Sequence, residues 1–235
     1  MSDTTHQIGT REAWQRARLA LFRREKELTK LRDELSAQRR ALPWVPVERS
    51  YTFQTAEGPR SLAALFGDKT QLLVYHLMFA PEWQAACNRC TFWAENFSSN
   101  LIHLAHRDVA FAAISRAPVA KLKAYAERMG WSFPWASSED GSFNYDFAVS
   151  FTEAQRASNE LVYNFGTLPA MSSDLPGFSV FAKDEQGALF HTYSCYARGI
   201  DMMNATYQYL DLVPSGRDEA DGAMAWLRRR DEYDR

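Results

Sequence analysis

The sequence predicts an α/β fold in which helices cover both faces of a sheet. Two short apolar runs, at residues 72–79 and 109–115, are rich in β-branched and aromatic residues and nearly free of charge, which is typical of buried strands. Each run is followed by a helical pattern, at 87–98 and at 119–129. A hairpin at about 178–194, with a polar turn, closes the pattern. Strands separated by helices and followed by a hairpin indicate an α/β sheet.

The composition indicates a chain with a substantial core. Of its 235 residues, 46% are apolar and 14% are aromatic, which is enough for one large domain with extensions. A net charge of -2 gives no general attraction to nucleic acid or to an anionic membrane. No uncharged run approaches the ~20 residues of a membrane span, and the first residues lack the apolar stretch of a secretory signal. We therefore expect a soluble, cytoplasmic protein that binds neither nucleic acid nor membrane.

An N-terminal helical extension, residues 1–46, contains a charged helix predicted at about 11–40. Its apolar stripe is made by leucines that recur at heptad spacing, namely Leu21, Leu28, Leu35 and Leu42. This stripe favours packing against the rest of the domain. The alternative is a short coiled-coil contact between subunits, which makes the protein a homodimer. Binding of nucleic acid by the helix is disfavoured because acidic residues interrupt the basic ones.

The remaining elements follow from alternation, turn residues and helix stop signals. Pro43 and Pro46 end the first helix, and Gly130 ends the helix at 119–129. The other predicted elements are a strand at 51–55, a turn at 57–59, a helix at 62–66 capped by Ser61, an extended stretch at 131–138, a short turn or helix at 143–149, hairpin strands at 178–182 and 188–194, and helices at 202–210 and 220–233. The main domain is then 47–213, with an irregular insertion at about 152–175, and residues 214–235 form a C-terminal helical tail.

Three cysteines are too few for a disulfide scaffold, but two of them are close together. Cys87 and Cys90 make a Cys-x-x-Cys in the predicted first turn of a helix that follows a buried strand. The free N–H groups of that turn and the positive charge of Arg89 favour a thiolate at Cys87. In a reducing cytosol such a pair is typical of catalysis, redox sensing or metal binding. We expect Cys195 to be a buried small hydrophobe.

A metal site is the alternative to a redox pair. Cys87, Cys90, His103 and His106 approach a zinc-finger spacing, although the histidine pair is one residue short of the usual separation. Along a continuous helix the histidines lie ~20 Å from the cysteines, so one ion cannot reach all four side chains. We therefore predict no metal and no organic cofactor.

Several longer strings carry a resemblance to a known family. They are YHLMFAPEW (75–83), SRAP (115–118), RMGWSFPWASS (128–138), FNYDF (143–147), HTYSCYARG (191–199), YLDLVPSGRDE (209–219) and AWLRRRDEY (225–233). On these strings the chain resembles domain-of-unknown-function family 899, bacterial thioredoxin-like proteins described as predicted dithiol-disulfide oxidoreductases or isomerases. The order of the elements is also similar to that of thioredoxin. The resemblance implies a thioredoxin-like fold, in which residues 51–66 are a peroxiredoxin-type N-terminal elaboration.

The same resemblance implies roles for the residues of the thiol site. Cys87 would be the attacking thiol and Cys90 the resolving one, in exchange with a protein or low-molecular-weight thiol or disulfide. Arg89 lies in the dipeptide between them, which tunes the redox potential in thioredoxin-like proteins. Pro176 is the candidate for the cis-proline that faces the dithiol in this fold, and Pro169 is the weaker candidate.

Two other functions stay open. A thiol peroxidase is disfavoured because the positions of the peroxiredoxin motif that hold Pro and Thr or Ser are Ala80 and Gln84 here. A non-catalytic binding module is the second alternative, with Trp83 as part of an aromatic groove. The other tryptophans of such a groove would be Trp93, Trp131 and Trp135. Packing in the core is favoured for these indoles, and for His76 and His191.

Overall fold

The structure is a computed structural model that describes residues 7–158, 161–168 and 172–233. The chain divides into two compact units, Met1–Pro43 and Trp44–Arg235. The division falls a few residues before the predicted start of the main domain at residue 47. The physical reason is that Val45 and Pro46, which we had assigned to the extension, pair with the last strand of the main sheet.

The helices and strands of the described residues follow the predicted order closely. The first unit contains α1 (Arg11–Arg40). The second unit contains β1 (Val45–Pro46), β2 (Thr52–Thr55), β3 (Gly58–Ser61), α2 (Leu62–Leu65), β4 (Gln71–His76), α3 (Asn88–Ala94), α4 (Leu101–His106), β5 (Val109–Ser115), α5 (Val119–Met129), β6 (Trp135–Ser137), α6 (Phe143–Asp146), α7 (Glu153–Ser158), β7 (Leu161–Tyr163), β8 (Gly166–Leu168), β9 (Gly177–Lys183), β10 (Leu189–Tyr196) and α8 (Ala205–Leu210). Two 3₁₀ helices, Ser98–Asn100 and Ala197–Met203, precede α4 and α8.

The main sheet has eight strands in the order β1-β10-β9-β4-β5-β6-β2-β3. β4, β5 and β6 are parallel, whereas β9 is antiparallel to β4, and β10 is antiparallel to β9. β4 therefore lies between a parallel neighbour, reached through α3 and α4, and a returning hairpin. This strand order and direction are those of the thioredoxin fold, with β2 and β3 added at the β6 edge. The predicted fold class is confirmed.

β4 is buried on both faces of the sheet. Leu72 and Val74 belong to an apolar cluster that includes side chains of β2, α2 and α6. Tyr75 belongs to the cluster on the other face, which includes side chains of α3 and α5. All three are 0% exposed. This two-sided burial explains why the strand has an almost uniformly apolar sequence rather than an alternating one.

The face of the sheet that carries α6 also holds a row of hydrogen-bonded polar side chains. His76 Nε2 is hydrogen-bonded to Ser179 Oγ (2.8 Å), Ser179 Oγ to Ser194 Oγ (2.9 Å), and Ser194 Oγ to His191 Nε2 (2.7 Å). The row crosses β4, β9 and β10. Burial lowers the pKa of His76 to about 3 and also lowers the pKa of His191. His76 is thus a neutral, hydrogen-bonded core group, as predicted.

Two predicted segments differ from the structure near the cysteines and in the insertion. The helix predicted at 87–98 ends at Ala94, and a 3₁₀ turn separates it from α4. The insertion predicted as irregular contains α7 and the β7–β8 hairpin. The side chains of Leu161 and Tyr163 are buried in a small cluster with Val149, Phe151 and Tyr196. Tertiary burial therefore orders a segment whose local pattern is weak.

The C-terminal tail is not helical. From Leu212 to Tyr233, the described part of the tail after α8 contains turns and no helix. Asp218, Gly222 and Met224 have positive φ, which a helix does not tolerate. Leu227 is nevertheless 2% exposed and belongs to the cluster around α3. The tail is an irregular part of the main unit, and its structure depends on contacts with the rest of that unit.

α1 has the predicted bounds, and none of its thirty residues, all of which are described, is buried. Thr10 caps its N-terminus by accepting a hydrogen bond from Ala13 N–H. Leu21, Leu28 and Leu31 are each about half exposed. Among the described residues, no helix combines the length and the apolar character that are needed to cross a lipid bilayer.

The start of β9 requires glycine, which predicts the effect of one substitution. A Cβ on Gly177 would lie 2.6 Å and 3.0 Å from two ring carbons of Tyr196. We expect Gly177→Ala to lower the free energy of unfolding by about 1–3 kcal/mol, because the ring must move. Chemical denaturation measures this. Gly166→Ala is the matched control, since nothing lies within 4 Å of its added Cβ; equal losses in both variants would contradict the expectation.

The exposed leucines of α1 leave the coiled coil, the alternative to packing against the domain, as a testable proposal. In a parallel two-stranded coiled coil with the leucines at position a, Glu27 occupies position g and lies beside Arg32, at position e, of a second copy. We expect sedimentation equilibrium to give twice the 26.9 kDa mass of one chain. Glu27→Arg should weaken the dimer, and the double variant Glu27→Arg, Arg32→Glu should restore it. A monomer mass at all concentrations would rule the coiled coil out.

Candidate dithiol site

The loop between β4 and α3 is held to the sheet by its own backbone. Leu77 N–H donates to the carbonyl of Ile114 (2.9 Å), which extends the parallel pairing beyond the end of β4. Cys87 N–H donates to the carbonyl of Met78 (3.0 Å). The two ends of the loop are thereby brought together, and Cys87 is placed beside the carboxyl end of the central strand.

A lysine of the next helix fixes the middle of the loop. Lys121 Nζ donates to the carbonyl oxygens of Pro81 (2.6 Å) and Trp83 (3.0 Å). Both are backbone acceptors that no strand or helix satisfies, and a cation is a strong donor to them. The loop that delivers the cysteines therefore has a defined shape, which a site for directed attack requires.

The two cysteines have different environments. Cys87 is the N-cap residue of α3 and is half-buried, whereas Cys90 lies one turn on and is 2% exposed. Neither is in a disulfide, and neither is Cys195, which is buried in β10 as predicted. Only Cys87 of the pair is therefore partly exposed, and it is the residue that the resemblance assigns to attack.

The environment separates the acidities of the two thiols. The pKa of Cys87 is lowered to about 6, chiefly because the Cys90 thiol donates a hydrogen bond to it. Burial acts in the opposite direction, while the amide groups of Cys90 and Arg89 and the Arg89 charge lower the pKa further. Burial raises the pKa of Cys90 well above its usual value, and the Cys87 charge adds to this. At neutral pH the pair is a Cys87 thiolate beside a Cys90 thiol.

The dipeptide between the cysteines connects the site to the tail. Arg89 is exposed, and its guanidinium donates to the carbonyl of Ala223 (3.2 Å). The Asn88 amide donates to the carbonyl of Leu227 (3.4 Å). Arg89 therefore has the electrostatic effect on Cys87 that its position predicted, and it also holds a segment far along the chain.

Pro176 has the predicted position but not the predicted isomer. It immediately precedes Gly177, which is paired with His76 at the end of β4, so it lies at the end of the sheet where the dithiol loop begins. No cis peptide bond occurs among the described residues, so Pro176 is trans and the cis expectation is wrong. The Pro176 carbonyl accepts a hydrogen bond from Tyr163 of the β7–β8 hairpin (2.6 Å), which holds the trans loop in place. Pro169 lies outside the described residues.

The tryptophans mostly belong to the core. Trp93 and Trp131 are 4% and 9% exposed, and Trp131 stacks on Trp135 at 5.5 Å. Trp83 is half-buried in the dithiol loop and packs against the same cluster. Core packing, the favoured interpretation, holds for Trp93 and Trp131, and Trp83 remains as the indole next to the site.

The alternative metal ligands are dispersed. His103 and His106 lie on α4, which is a separate helix from α3, so the continuous helix that we assumed does not exist. In the part of the chain that the structure describes, no three His, Cys, Asp or Glu side chains come together as a group that could hold a metal ion.

A group of side chains that contacts the thiol loop is not evident from the sequence. Arg229 of the tail donates to the carbonyl of Ala86 (2.8 Å) and to the Tyr125 hydroxyl (2.9 Å). Tyr125 is hydrogen-bonded to Thr91 (2.8 Å), one residue beyond Cys90. The string AWLRRRDEY was visible in the sequence, but its helical interpretation gave no reason to place an arginine beside Cys87.

A buried ion pair was also missed. Arg116, directly after β5, binds both oxygens of Asp174 at 2.8 Å, and the two side chains are 13% and 5% exposed. Arg116 also donates to the Tyr145 hydroxyl (3.1 Å), and Ser150 donates to Asp174. This pair anchors the insertion to the carboxyl end of β5, next to the dithiol loop. In the sequence, Arg116 of this pair stood out only as part of the string SRAP (115–118).

The family comparison covers almost the whole chain. The model of domain-of-unknown-function family 899, described as a bacterial protein of unknown function, matches residues 3–233. The chain belongs to this family. No curated protein matches it.

Among solved structures, the family 899 protein is similar to peroxidoxin BcpB from Mycobacterium tuberculosis, at 17% identity over 72% of this chain and 96% of that one, with a TM-score of 0.44. It is similar to peroxiredoxin Q from Xanthomonas campestris, at 14% identity over 70% and 90%, with a TM-score of 0.46. A hypothetical protein from Sinorhizobium meliloti 1021 matches at 16% identity over 64% and 70%, with a TM-score of 0.40. At TM-scores this low, the activity has to be inferred from the chain's own residues.

The low pKa of Cys87 predicts its alkylation behaviour. We expect the rate of iodoacetamide modification at Cys87 to rise with pH through a midpoint near 6, because only the thiolate reacts and its pKa is about 6. Intact mass and peptide mapping, in a Cys195→Ser background, measure the rate.

Two variants separate the causes of this midpoint. Cys90→Ala removes the hydrogen-bond donor and should raise the midpoint by about one to two pH units, whereas Cys90→Ser keeps a hydroxyl donor and should raise it less. A midpoint near the ordinary cysteine value of 9.0 in the unmodified protein would contradict the expectation.

Proposed function

We propose that the protein is a dithiol-disulfide oxidoreductase in which Cys87 attacks and Cys90 resolves. The carrying observation is the asymmetry of the pair, with a half-buried thiolate of low pKa directly hydrogen-bonded to a buried thiol of high pKa. A thiol that attacks must be ionised and reachable, while a resolving thiol must wait in its protonated form. The proposed partner is a protein or low-molecular-weight thiol or disulfide.

The reaction is a sequence of two exchanges. The Cys87 thiolate attacks one sulfur of a substrate disulfide, forms a mixed disulfide and releases the other half as a thiolate. Cys90 then attacks the Cys87 sulfur and forms the Cys87–Cys90 disulfide. The second half of the substrate leaves as a thiolate and takes up the Cys90 proton. The substrate gains two electrons, and an external dithiol returns the enzyme to the reduced form.

The two residues are placed for the resolving step. They lie three positions apart at the start of α3, close enough for the hydrogen bond between their thiol groups that lowers the pKa of Cys87. A disulfide within one turn closes without large movement of the backbone. Once Cys87 is in a mixed disulfide it carries no charge, so the charge that helps to keep the pKa of Cys90 high is removed and Cys90 becomes a better nucleophile.

The alternatives have less support. A binding module with incidental thiols would be favoured by burial of both sulfurs, and Cys87 is only half-buried. A thiol peroxidase would also use a Cys87 thiolate, but Ala80 and Gln84 supply no hydroxyl to orient a peroxide. Disulfide exchange needs only the pair itself.

Trapping of the mixed disulfide tests the proposal. With oxidised glutathione, Cys90→Ser should accumulate one glutathione on Cys87 because the resolving thiol is absent, whereas the unmodified protein should release it and lose the mass of two hydrogen atoms. Cys87→Ser should form neither product. Cys195→Ser is the matched control and should behave like the unmodified protein.

The competing outcome is defined in the same experiment. Rapid consumption of hydrogen peroxide by Cys90→Ser, with a sulfenic acid at Cys87 and no glutathione adduct, would replace exchange by peroxidase activity. If Cys87 reacts with neither oxidant in the folded protein, the binding module becomes the supported function.

A further inference from the structure

We propose that the C-terminal segment 223–229 is part of the thiol site, and that Arg229 is a positioning residue which holds the backbone on both sides of Cys87. The inference deepens the proposed function and rests on Cys87 being the attacking thiol. The segment lies more than one hundred residues after the cysteines in the chain, yet it follows α3 along its length.

The segment is seated on α3 by apolar and polar contacts. The Trp226 ring meets Phe92 edge to face at 5.6 Å, and Leu227 is 2% exposed. The hydrogen bonds from Asn88 and Arg89 to carbonyls of the segment come from the two residues between the cysteines. The tail therefore contacts the dithiol motif itself, rather than a remote part of the helix.

Arg229 contacts the residue that precedes Cys87. Its Nη2 donates to the carbonyl of Ala86 (2.8 Å), the peptide group whose nitrogen belongs to Cys87. Its Nε donates to the hydroxyl of Tyr125 (2.9 Å). The planar guanidinium thus uses two of its fixed donors on two different elements, the thiol loop and α5.

The second contact continues to the other side of Cys87. Thr91 Oγ1 donates its single proton to the Cys87 carbonyl (2.9 Å), so Tyr125 must donate to Thr91 in the 2.8 Å bond between their hydroxyls. Tyr125 in turn accepts from Arg229. The donors therefore run in one direction, from Arg229 through Tyr125 and Thr91 to the Cys87 carbonyl, and bonds aligned in this way strengthen one another.

These hydrogen bonds affect the Cys87 thiolate through the backbone. Its negative charge is stabilised by donors whose positions depend on the backbone, namely the amide groups of Arg89 and Cys90. Arg229 engages the carbonyl before Cys87 directly and the carbonyl of Cys87 through the chain of hydroxyls. With both carbonyls engaged, the first turn of α3 presents its N–H groups to the sulfur in a fixed geometry.

The charged and titratable neighbours are few. From α3 the Cys90 thiol and the Arg89 guanidinium act on Cys87, and from β4 the Tyr75 hydroxyl lies close enough for its own pKa to be raised by both cysteines. Arg229 is paired with Glu232 at 2.9 Å. Its effect on Cys87 therefore comes from hydrogen bonds to the backbone rather than from its charge.

The test measures the pH profile of Cys87 alkylation in the full chain with Cys195→Ser. Arg229→Ala should raise the midpoint by about one pH unit, the size of one lost hydrogen bond to the site, and slow the reaction at pH 6.5 by about threefold. Arg229→Lys keeps the charge but cannot make both contacts, so it should behave like the alanine variant. Tyr125→Phe breaks only the chain of hydroxyls and should give part of the shift.

Arg230→Ala is the matched control. Arg230 directly follows the segment, donates to the Met129 carbonyl (2.9 Å) and pairs with Glu95 (3.3 Å), so it anchors the tail without touching the thiol loop. Its profile should match that of the parent. Equal shifts in Arg229→Ala and Arg230→Ala, or no shift in Arg229→Ala, would overturn the proposal. If Arg229→Ala does not fold, unchanged profiles in Arg229→Lys and Tyr125→Phe would overturn it.

The failure of this inference differs from the failure of the proposed function. Alkylation needs no disulfide substrate, so a shifted profile in a protein that never exchanges disulfides would support the role of Arg229 and reject the oxidoreductase. Normal disulfide exchange with an unshifted alkylation profile in Arg229→Ala would support the oxidoreductase and reject the role of Arg229.

Discussion

Two-sided burial of β4 is the constraint on which the rest of the structure depends. A strand without a solvent face has its register set by both neighbours, here β5 in parallel and β9 in antiparallel orientation. That register determines where β4 ends and therefore where the dithiol loop begins. It also determines where β9 starts, directly after Pro176. A slip of one residue would move Tyr75 and Val74 to the wrong layers, so the position of the thiols is fixed by the core.

Burial also explains why two identical side chains have different chemistry. A buried thiol that ionises loses hydration that apolar neighbours cannot replace, so Cys90 keeps its proton. That proton is then available to Cys87, whose partial exposure and surrounding N–H groups make its charge tolerable. Burial thus keeps the proton on Cys90, and the hydrogen bond that this thiol donates is the chief cause of the low pKa of Cys87.

The elements that could be predicted from the sequence are those that residues close together in the chain determine. The apolar runs of β4 and β5, the stop of α5 at Gly130 and the length of α1 are all encoded in neighbouring residues. The Cys-x-x-Cys was predictable for the same reason. The tail was not, because its three consecutive arginines satisfy a helical pattern equally well, and what orders them is a set of acceptors supplied by distant residues such as Ala86 and Tyr125. Arg116 and Asp174 likewise meet only in the fold, and the isomer of Pro176 is set by its surroundings.

The row of polar side chains behind the sheet makes the stability of the fold depend on protons. In the unfolded chain the imidazole of His76 takes up a proton as the pH falls through its ordinary value of 6.5, whereas burial holds its folded pKa at about 3. Between these values the unfolded chain binds more protons, so the free energy of unfolding falls with acidification across that window. His191, whose pKa is also lowered, acts in the same direction. The Cys87 thiolate is protonated near pH 6. Mild acid therefore removes the reactive thiolate and, through the histidines on the α6 face of the sheet, also lowers the free energy of unfolding.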